Sequence, residues 1–213
     1  MLQWNELKEK INNSISGYKK SNDRLNMSML SICGYKYRYE LDNDISFSYT
    51  LNYELGNGFE YVIIKNLSKY ANIIPQYKIE INLEKYKIIG KTDAYDVDTN
   101  TIYEIKFTLS YSSFKDIYLR QLKAYMINKK ANGILWIYQP LVNKNDIKEE
   151  IIKYSALTQE DNIIYELNIK AFLNNTYYEG IENSLCGLCQ NINCPIFKKI
   201  KNDKSKEMMK LFP

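Results

Sequence analysis

The sequence predicts an α/β domain, and three features carry that prediction. Gly133 to Gln139 (Gly-Ile-Leu-Trp-Ile-Tyr-Gln) is a nearly continuous apolar run with the length of a strand buried on both faces. A segment with helical spacing, from Ser112 or Ser113 to about Lys130, precedes it. Before that helix, Tyr86–Asp96 and Thr101–Phe107 are rich in β-branched and aromatic residues, and Asp96-Val97-Asp98-Thr99-Asn100 between them has turn chemistry. A hairpin thus feeds a helix that returns the chain to a further strand, which is a βαβ crossover.

Taken in order, residues 4–20 predict a helix with Trp4, Leu7, Ile11 and Ile15 on one stripe. Cys33-Gly34-Tyr35-Lys36-Tyr37-Arg38-Tyr39 alternates aromatic and basic residues. That pattern suits tracking of a nucleic-acid strand and equally an edge strand packed by tyrosine stems. Gly56-Asn57-Gly58 predicts a break before a helix from about Phe59 to Ala71, with Ile63, Leu67 and Tyr70 on or near its inner stripe and Glu60 one turn ahead. Tyr77–Leu83 reads as the first core strand.

In the central helix, Ser113 followed by Asp116 is a capping signature. Phe114, Ile117, Tyr118, Leu122 and Tyr125 share one face, and Gln121 falls on the same stripe. Ile147–Lys153 is charged and expected to be exposed, while Ile163, Tyr165, Leu167 and Ile169 alternate as in a strand. Lys198, Lys199, Lys201, Lys204 and Lys206 make a basic tail that suits either DNA contact or a solvated helix.

The 213 residues suit one domain, and 45% hydrophobic with 25% charged residues is ordinary for a globular chain. A net charge of +4 does not by itself indicate nucleic-acid binding. No apolar run approaches the roughly 20 residues that span a bilayer, and the N-terminus lacks signal-peptide character, so an intracellular protein without a membrane partner is expected. In that compartment clustered cysteines bind metals more often than they pair.

The chemistry follows from strand geometry. A hairpin centred between Asp98 and Thr99 sets Asp93 across from Glu104, with Cβ atoms roughly 4.5–5.5 Å apart. Glu104 and Lys106 share a face, and Tyr103, Ile105 and Phe107 point the other way toward a core. Two facing carboxylates repel unless a cation lies between them, and Mg²⁺ or Mn²⁺ suits such oxygen ligands. Lys106 beside that ion would hold or deprotonate an attacking water, or offset charge on a phosphate. Gln121 on the buried stripe needs a partner, either a backbone carbonyl or, with Tyr125, a substrate over the strand ends.

Gly90-Lys91-Thr92-Asp93, Glu104-Ile105-Lys106 and Gln121 with Tyr125, in this order and at these separations, resemble the RecB-type branch of the PD-(D/E)XK nuclease superfamily. Cys33 near one end, with Cys186-Gly-Leu-Cys189 and Cys194-Pro195 near the other, narrows the resemblance to the CRISPR-associated Cas-four family. The resemblance spans Cys33 to Cys194. It implies a restriction-endonuclease-like mixed sheet core flanked by helices, in a single domain over 1–213 with the core at about 54–170. The flanks at about 24–40 and 183–200 would be joined by a 4Fe-4S cluster on Cys33, Cys186, Cys189 and Cys194. Zinc is the competing occupant, although its Cys₄ sites more often come as two Cys-x-x-Cys pairs.

Asp93 and Glu104, with Glu60, would hold Mg²⁺ or Mn²⁺; Lys106 would be catalytic, and Gln121 and Tyr125 would bind substrate. In the family the Glu60 position is frequently a histidine, and this chain has none, which leaves Glu60 as a direct ligand, a ligand through water or a helix-start residue. The resemblance further implies single-stranded DNA as substrate, 5′ to 3′ exonuclease and endonuclease action, and a role in spacer acquisition beside a CRISPR integrase or in viral DNA processing. It covers both monomers and rings. The alternative is a catalytically silent iron–sulfur module that binds nucleic acid or a partner protein.

Overall fold

The computed structural model describes residues 25–43, 45, 51–84, 86–108, 112–139 and 147–202. The elements are β1 (Leu25–Asn26), α1 (Met27–Ile32), α2 (Gly34–Asp42), α3 (Leu51–Leu67), β2 (Ile73–Pro75), β3 (Lys78–Leu83), β4 (Tyr86–Lys91), β5 (Ala94–Asp96), β6 (Thr101–Phe107), α4 (Lys115–Lys129), β7 (Asn132–Tyr138), β8 (Lys148–Ile152) and α5 (Gln159–Asn174). Residues 195–202 are also helical. The predicted helix over 4–20, and Lys204 and Lys206 of the basic tail, lie outside the described residues.

The strands form two sheets, one in the order β2-β5-β6-β7-β8 and one in the order β1-β4-β3. In the larger sheet β6 and β7 are parallel and joined through α4, as the crossover predicts, and the other pairings are antiparallel. The result is a mixed sheet flanked by helices. No helix among the described residues is long and apolar enough to cross a membrane.

β6 is buried on both sides. Tyr103 and Ile105 pack with Ile64 and Ala94 against the inner side of α3, while Ile102 joins Leu122, Tyr125, Met126, Leu135 and Ile137 in the core under α4. The prediction of one core-facing side for β6 was therefore too simple. Glu104 shares the Ile102 side and is fully buried.

The predicted single strand over Tyr86–Asp96 is divided. β4 pairs with β3 in the smaller sheet, and β5 pairs with β6 in the larger. Between them the Thr92 N–H donates to the Tyr77 carbonyl at 3.0 Å, and the Asp93 carbonyl accepts the Gln76 N–H at 3.0 Å. Asp93 is thereby fixed where the two sheets part.

Several local predictions are corrected. The Gly56-Asn57-Gly58 segment lies within α3 rather than before it. Each glycine costs roughly 0.5–1 kcal/mol in a helix, and packing of Ile64 with Ile63 and Leu67 against β6 outweighs that cost. Tyr70 falls beyond α3 and is 87% exposed instead of on an inner stripe. Cys33–Tyr39 is no strand, because α2 begins at Gly34 and buries Tyr37 and Glu40 one turn apart. The stretch 163–169 is likewise helical, within α5. Its alternation is overridden by a capping box between Thr158 and Asp161 and by buried Tyr165, Asn168, Ala171 and Phe172 at helical spacing. Ile147–Lys153 is exposed only in part, since it contains the edge strand β8, in which Glu150 and Ile152 are half-buried and Ile152 packs against the core.

At the start of α4 the N-cap is Phe114 with no side-chain cap bond, and the Asp116 carboxylate instead accepts from the Ser184 N–H at 3.0 Å and its hydroxyl at 2.7 Å.

The N- and C-terminal parts meet through α2 and α5. A Cβ on Gly34 would overlap the Asn168 backbone carbonyl oxygen. Gly34→Ala is expected to destabilise the protein by about 3 kcal/mol or more, since backbone on both sides must move; a denaturant midpoint equal to wild type would show that the two helices can separate freely.

Candidate functional site

The register of the hairpin decides the site. Ala94 pairs with Tyr103, Tyr95 with Ile102 and Asp96 with Thr101, which centres the turn between Asp98 and Thr99 and brings Asp93 beside Glu104. Asp96 stabilises the turn by accepting from the Asp98 N–H at 3.0 Å and the Thr99 hydroxyl at 2.7 Å. Beyond the last pair, the Ile105 N–H donates to Asp93 Oδ2 at 2.6 Å. Lys106 Nζ lies 2.8 Å from Glu104 Oε2 and 3.6 Å from Asp93 Oδ2. Glu104 Oε1 is buried and has no hydrogen-bond partner.

The electrostatics follow from this crowding. Burial first, and Asp93 second, push the Glu104 carboxyl up to about 8, against the pull of Lys106. Burial would lower Lys106, but Asp93 and Glu104 together more than reverse this and hold its ammonium above the ordinary lysine range. Glu60 belongs to the same group of charges although it comes from α3. Burial and then Asp93 push it up to about 7, while Lys106 and a hydrogen bond from Gln76 oppose the rise. Lying in the middle of α3, Glu60 is not a helix-start residue.

Gln76 is the residue that sequence reasoning missed. Its side-chain amide donates to Glu60 Oε1, and its N–H donates to the Asp93 carbonyl, so it ties one carboxylate to the backbone of the residue that carries another. Its φ of 50° is a left-handed value for a non-glycine residue. The available signal in the sequence was a polar residue directly after Pro75, in a tight connection between two strands.

Tyr125 and Gln121 stand close by in different surroundings. Tyr125 is 1% exposed, and its hydroxyl donates to the Lys91 carbonyl at 3.1 Å, which anchors the end of β4. Burial and then Glu104 raise its phenol, and Gln121 hydrogen-bonds to it. A Cβ at Gly90 would collide with the Tyr125 ring. The glycine and the tyrosine of the two sequence motifs are thus halves of one close packing. Gln121 itself is half-buried.

The four cysteines line one pocket, together with Asn191 and Lys36. Cys33 caps α2, its sulfur accepting the Lys36 N–H at 3.4 Å. Cys186 accepts the Asn183 N–H and Cys189 the Asn191 N–H, each at 3.4 Å. Burial, and secondarily the other thiols, push Cys33 up to about 12, and burial raises Cys186 and Cys189. Among the described residues no three His, Cys, Asp or Glu side chains converge closely enough, as they stand, to hold a metal ion. The donor sets nevertheless suit metals of different kinds: sulfur ligands cradled by backbone N–H groups at one site, and carboxylates with an orphaned buried oxygen at the other.

No protein-family model matches the chain. The UPF0146 protein MJ0688 of Methanocaldococcus jannaschii is 35% identical over 112 residues, covering 47% of this chain and 73% of that protein. Among solved structures, SSO0001 is similar with a TM-score of 0.60 and 22% identity over 89% of this chain and 94% of that one. An alkaline exonuclease from Laribacter hongkongensis is similar with a TM-score of 0.53 and 12% identity over 94% of this chain and 98% of that one. The same enzyme in complex with dAMP matches with a TM-score of 0.50 and 12% identity over 70% of this chain and 86% of that one. At these identities the structural likeness establishes a shared fold.

The raised Glu104 carboxyl has a consequence for the metal-free protein. Folded, burial and then Asp93 push its carboxyl up to about 8, whereas an unfolded glutamate titrates near 4.3. The folded state binds more protons in between, so this group lowers stability as pH rises through that window. In chelator, wild type is expected to lose thermal stability from about pH 5 to pH 8, and Glu104→Gln to lose less; parallel curves for the two proteins would show that Glu104 is already ionised.

Proposed function

The chain belongs to the UPF0146 family, and we propose that it is a divalent-metal-dependent deoxyribonuclease that hydrolyses phosphodiester bonds. The observation that supports this reading most directly is the buried, unpartnered Glu104 Oε1 beside Asp93 and Lys106. A buried polar atom without a partner costs about 1–3 kcal/mol, and a hard cation shared with Asp93 removes that cost. In this reading Asp93 and Glu104 hold Mg²⁺ or Mn²⁺, and Glu60 adds a third carboxylate, positioned by Gln76. When bound, such an ion lowers the pKa of water and polarises a phosphoryl oxygen.

The chain's own residues supply the rest. Lys106, kept protonated by the two carboxylates, orients the attacking water and offsets charge on the scissile phosphate. Tyr125 holds the end of β4 through Lys91 and so keeps Asp93 in register. In this reading Gln121, half-buried and hydrogen-bonded to the Tyr125 phenol, is the residue that contacts the nucleic-acid backbone. The fold shared with an alkaline exonuclease that has been solved with dAMP is consistent with a DNA substrate.

The finer assignment follows the cysteines. In this reading the protein resembles the Cas-four family, carries a 4Fe-4S cluster on Cys33, Cys186, Cys189 and Cys194, and acts on single-stranded DNA as a 5′ to 3′ exonuclease with endonuclease activity. A CRISPR integrase is its expected partner in spacer acquisition. The four thiols on one pocket, drawn from both ends of the chain, support the cluster. Bound there, it supplies a rigid sulfur-rich anchor between the two flanks.

Cleavage of end-labelled single-stranded and duplex DNA with Mn²⁺, Mg²⁺ or EDTA tests the activity. Glu104→Ala and Lys106→Ala are each expected to lose about 10²–10⁴-fold in rate while keeping a brown chromophore. DNA binding without cleavage under any metal would replace the nuclease with a silent binding module. Cys194→Ala is expected to lose the chromophore and solubility together, and a colourless, stable and fully active variant would remove the cluster from the account.

A further inference from the structure

Asn191 stands apart from the other polar groups around the cysteine pocket. It is 1% exposed, lines the pocket with all four thiols, and its backbone N–H already donates to Cys189 Sγ. Its side-chain orientation is set, because Oδ1 accepts the Asn193 N–H at 3.1 Å. The amide nitrogen is therefore the remaining end of the carboxamide, and Nδ2 is buried with no hydrogen-bond partner. A carboxamide fixed at its oxygen and idle at its nitrogen loses the desolvation energy of two N–H groups unless an acceptor enters the pocket.

The acceptor must be one that the pocket's chemistry admits. The walls supply four cysteine sulfurs, and the nearby backbone N–H groups of Lys36, Asn183 and Asn191 already point at three of them. What Nδ2 lacks is an electron-rich atom at the centre or a thiolate made a stronger acceptor by metal ligation. We infer that Asn191 donates its side-chain N–H to a sulfur of an iron–sulfur cluster held by Cys33, Cys186, Cys189 and Cys194, and so tunes that cluster's redox potential and lifetime. The inference rests on the cluster assigned above and adds a positioning and tuning residue outside the ligand set.

A donated hydrogen bond spreads negative charge off the cluster sulfurs and favours the reduced, more negative state, which raises the reduction potential. Removing the donor lowers the potential and leaves the sulfur edge open to oxidant. The Asn183 amide serves a different purpose, since its Nδ2 donates to the Ile32 carbonyl at 2.9 Å, which ties the two flanks, and to the nearby Ile181 carbonyl at 3.3 Å.

The test uses the full chain purified without oxygen, as wild type, Asn191→Asp and Asn191→Leu. The leucine removes both polar ends without adding charge, while the aspartate keeps the shape and, when ionised, replaces the donor with a negative charge; circular dichroism and thermal melts establish that each is folded. Iron and labile sulfide are assayed first, because a wild-type protein without them overturns the cluster and this inference together. With the cluster present, spectroelectrochemical titration is expected to give a more negative midpoint in both variants, with visible absorbance bleaching several-fold faster in air and DNA cleavage under anaerobic conditions near wild type. An unchanged midpoint and unchanged bleaching rate in the folded Asn191→Leu variant would overturn the role of Asn191 while leaving the cluster in place.

Discussion

The Ile105 N–H donates to Asp93 Oδ2 at the point where the two sheets part, and this hydrogen bond fixes how the two carboxylates stand to each other. Asp93 lies past the last ladder pair of β5 and β6, so without that bond its side chain would not be held against Glu104. Everything around the pair serves to keep it there. Gln76 grips the Asp93 carbonyl from the β2–β3 connection, Tyr125 grips Lys91 from α4, and Gly90 leaves room for the tyrosine ring. A buried carboxylate beside another is costly, and this concentration of supports at one corner shows where the fold concentrates its polar interactions.

The two helices beside the larger sheet divide the work. α4 covers the face that buries Glu104 and supplies Tyr125, while α3 covers the opposite face through Ile64 and brings Glu60 to the sheet end. The site is thus assembled from a strand pair, a helix on each side and one connection. Lys106 is the common counter-charge, and its raised pKa and the raised carboxyls of Glu104 and Glu60 describe one coupled cluster seen from different members.

The four cysteines line one pocket because protein contacts bring their segments together. The Gly34 N–H donates to Asn168 Oδ1 at 3.0 Å, Asn168 Nδ2 donates to the Ser31 carbonyl at 3.3 Å, and Arg120 donates to the carbonyls of Ile181 and Glu182 at 3.0 and 2.6 Å. These bonds converge on the residues either side of Cys33 and on the segment before Cys186. A group bound by the thiols would complete this junction rather than create it.

The sequence by itself determined the pairing of Asp93 with Glu104, the neighbouring Lys106, the crossover helix and the strand after it. Each depends on short-range rules: turn chemistry sets the hairpin centre, and a period of two sets which side chains share a face. Tertiary structure decided the rest. Alternating 163–169 became a helix because a capping box and a buried stripe at 3.6-residue spacing outweighed local β preference. Glycines that read as a break were absorbed into α3 by packing on β6. Gln76 gained its place only where a left-handed turn met the end of another sheet, and Asn191 only where a fixed carboxamide faced four thiols from both ends of the chain. Contacts of that kind join residues far apart in sequence, and no local pattern encodes them.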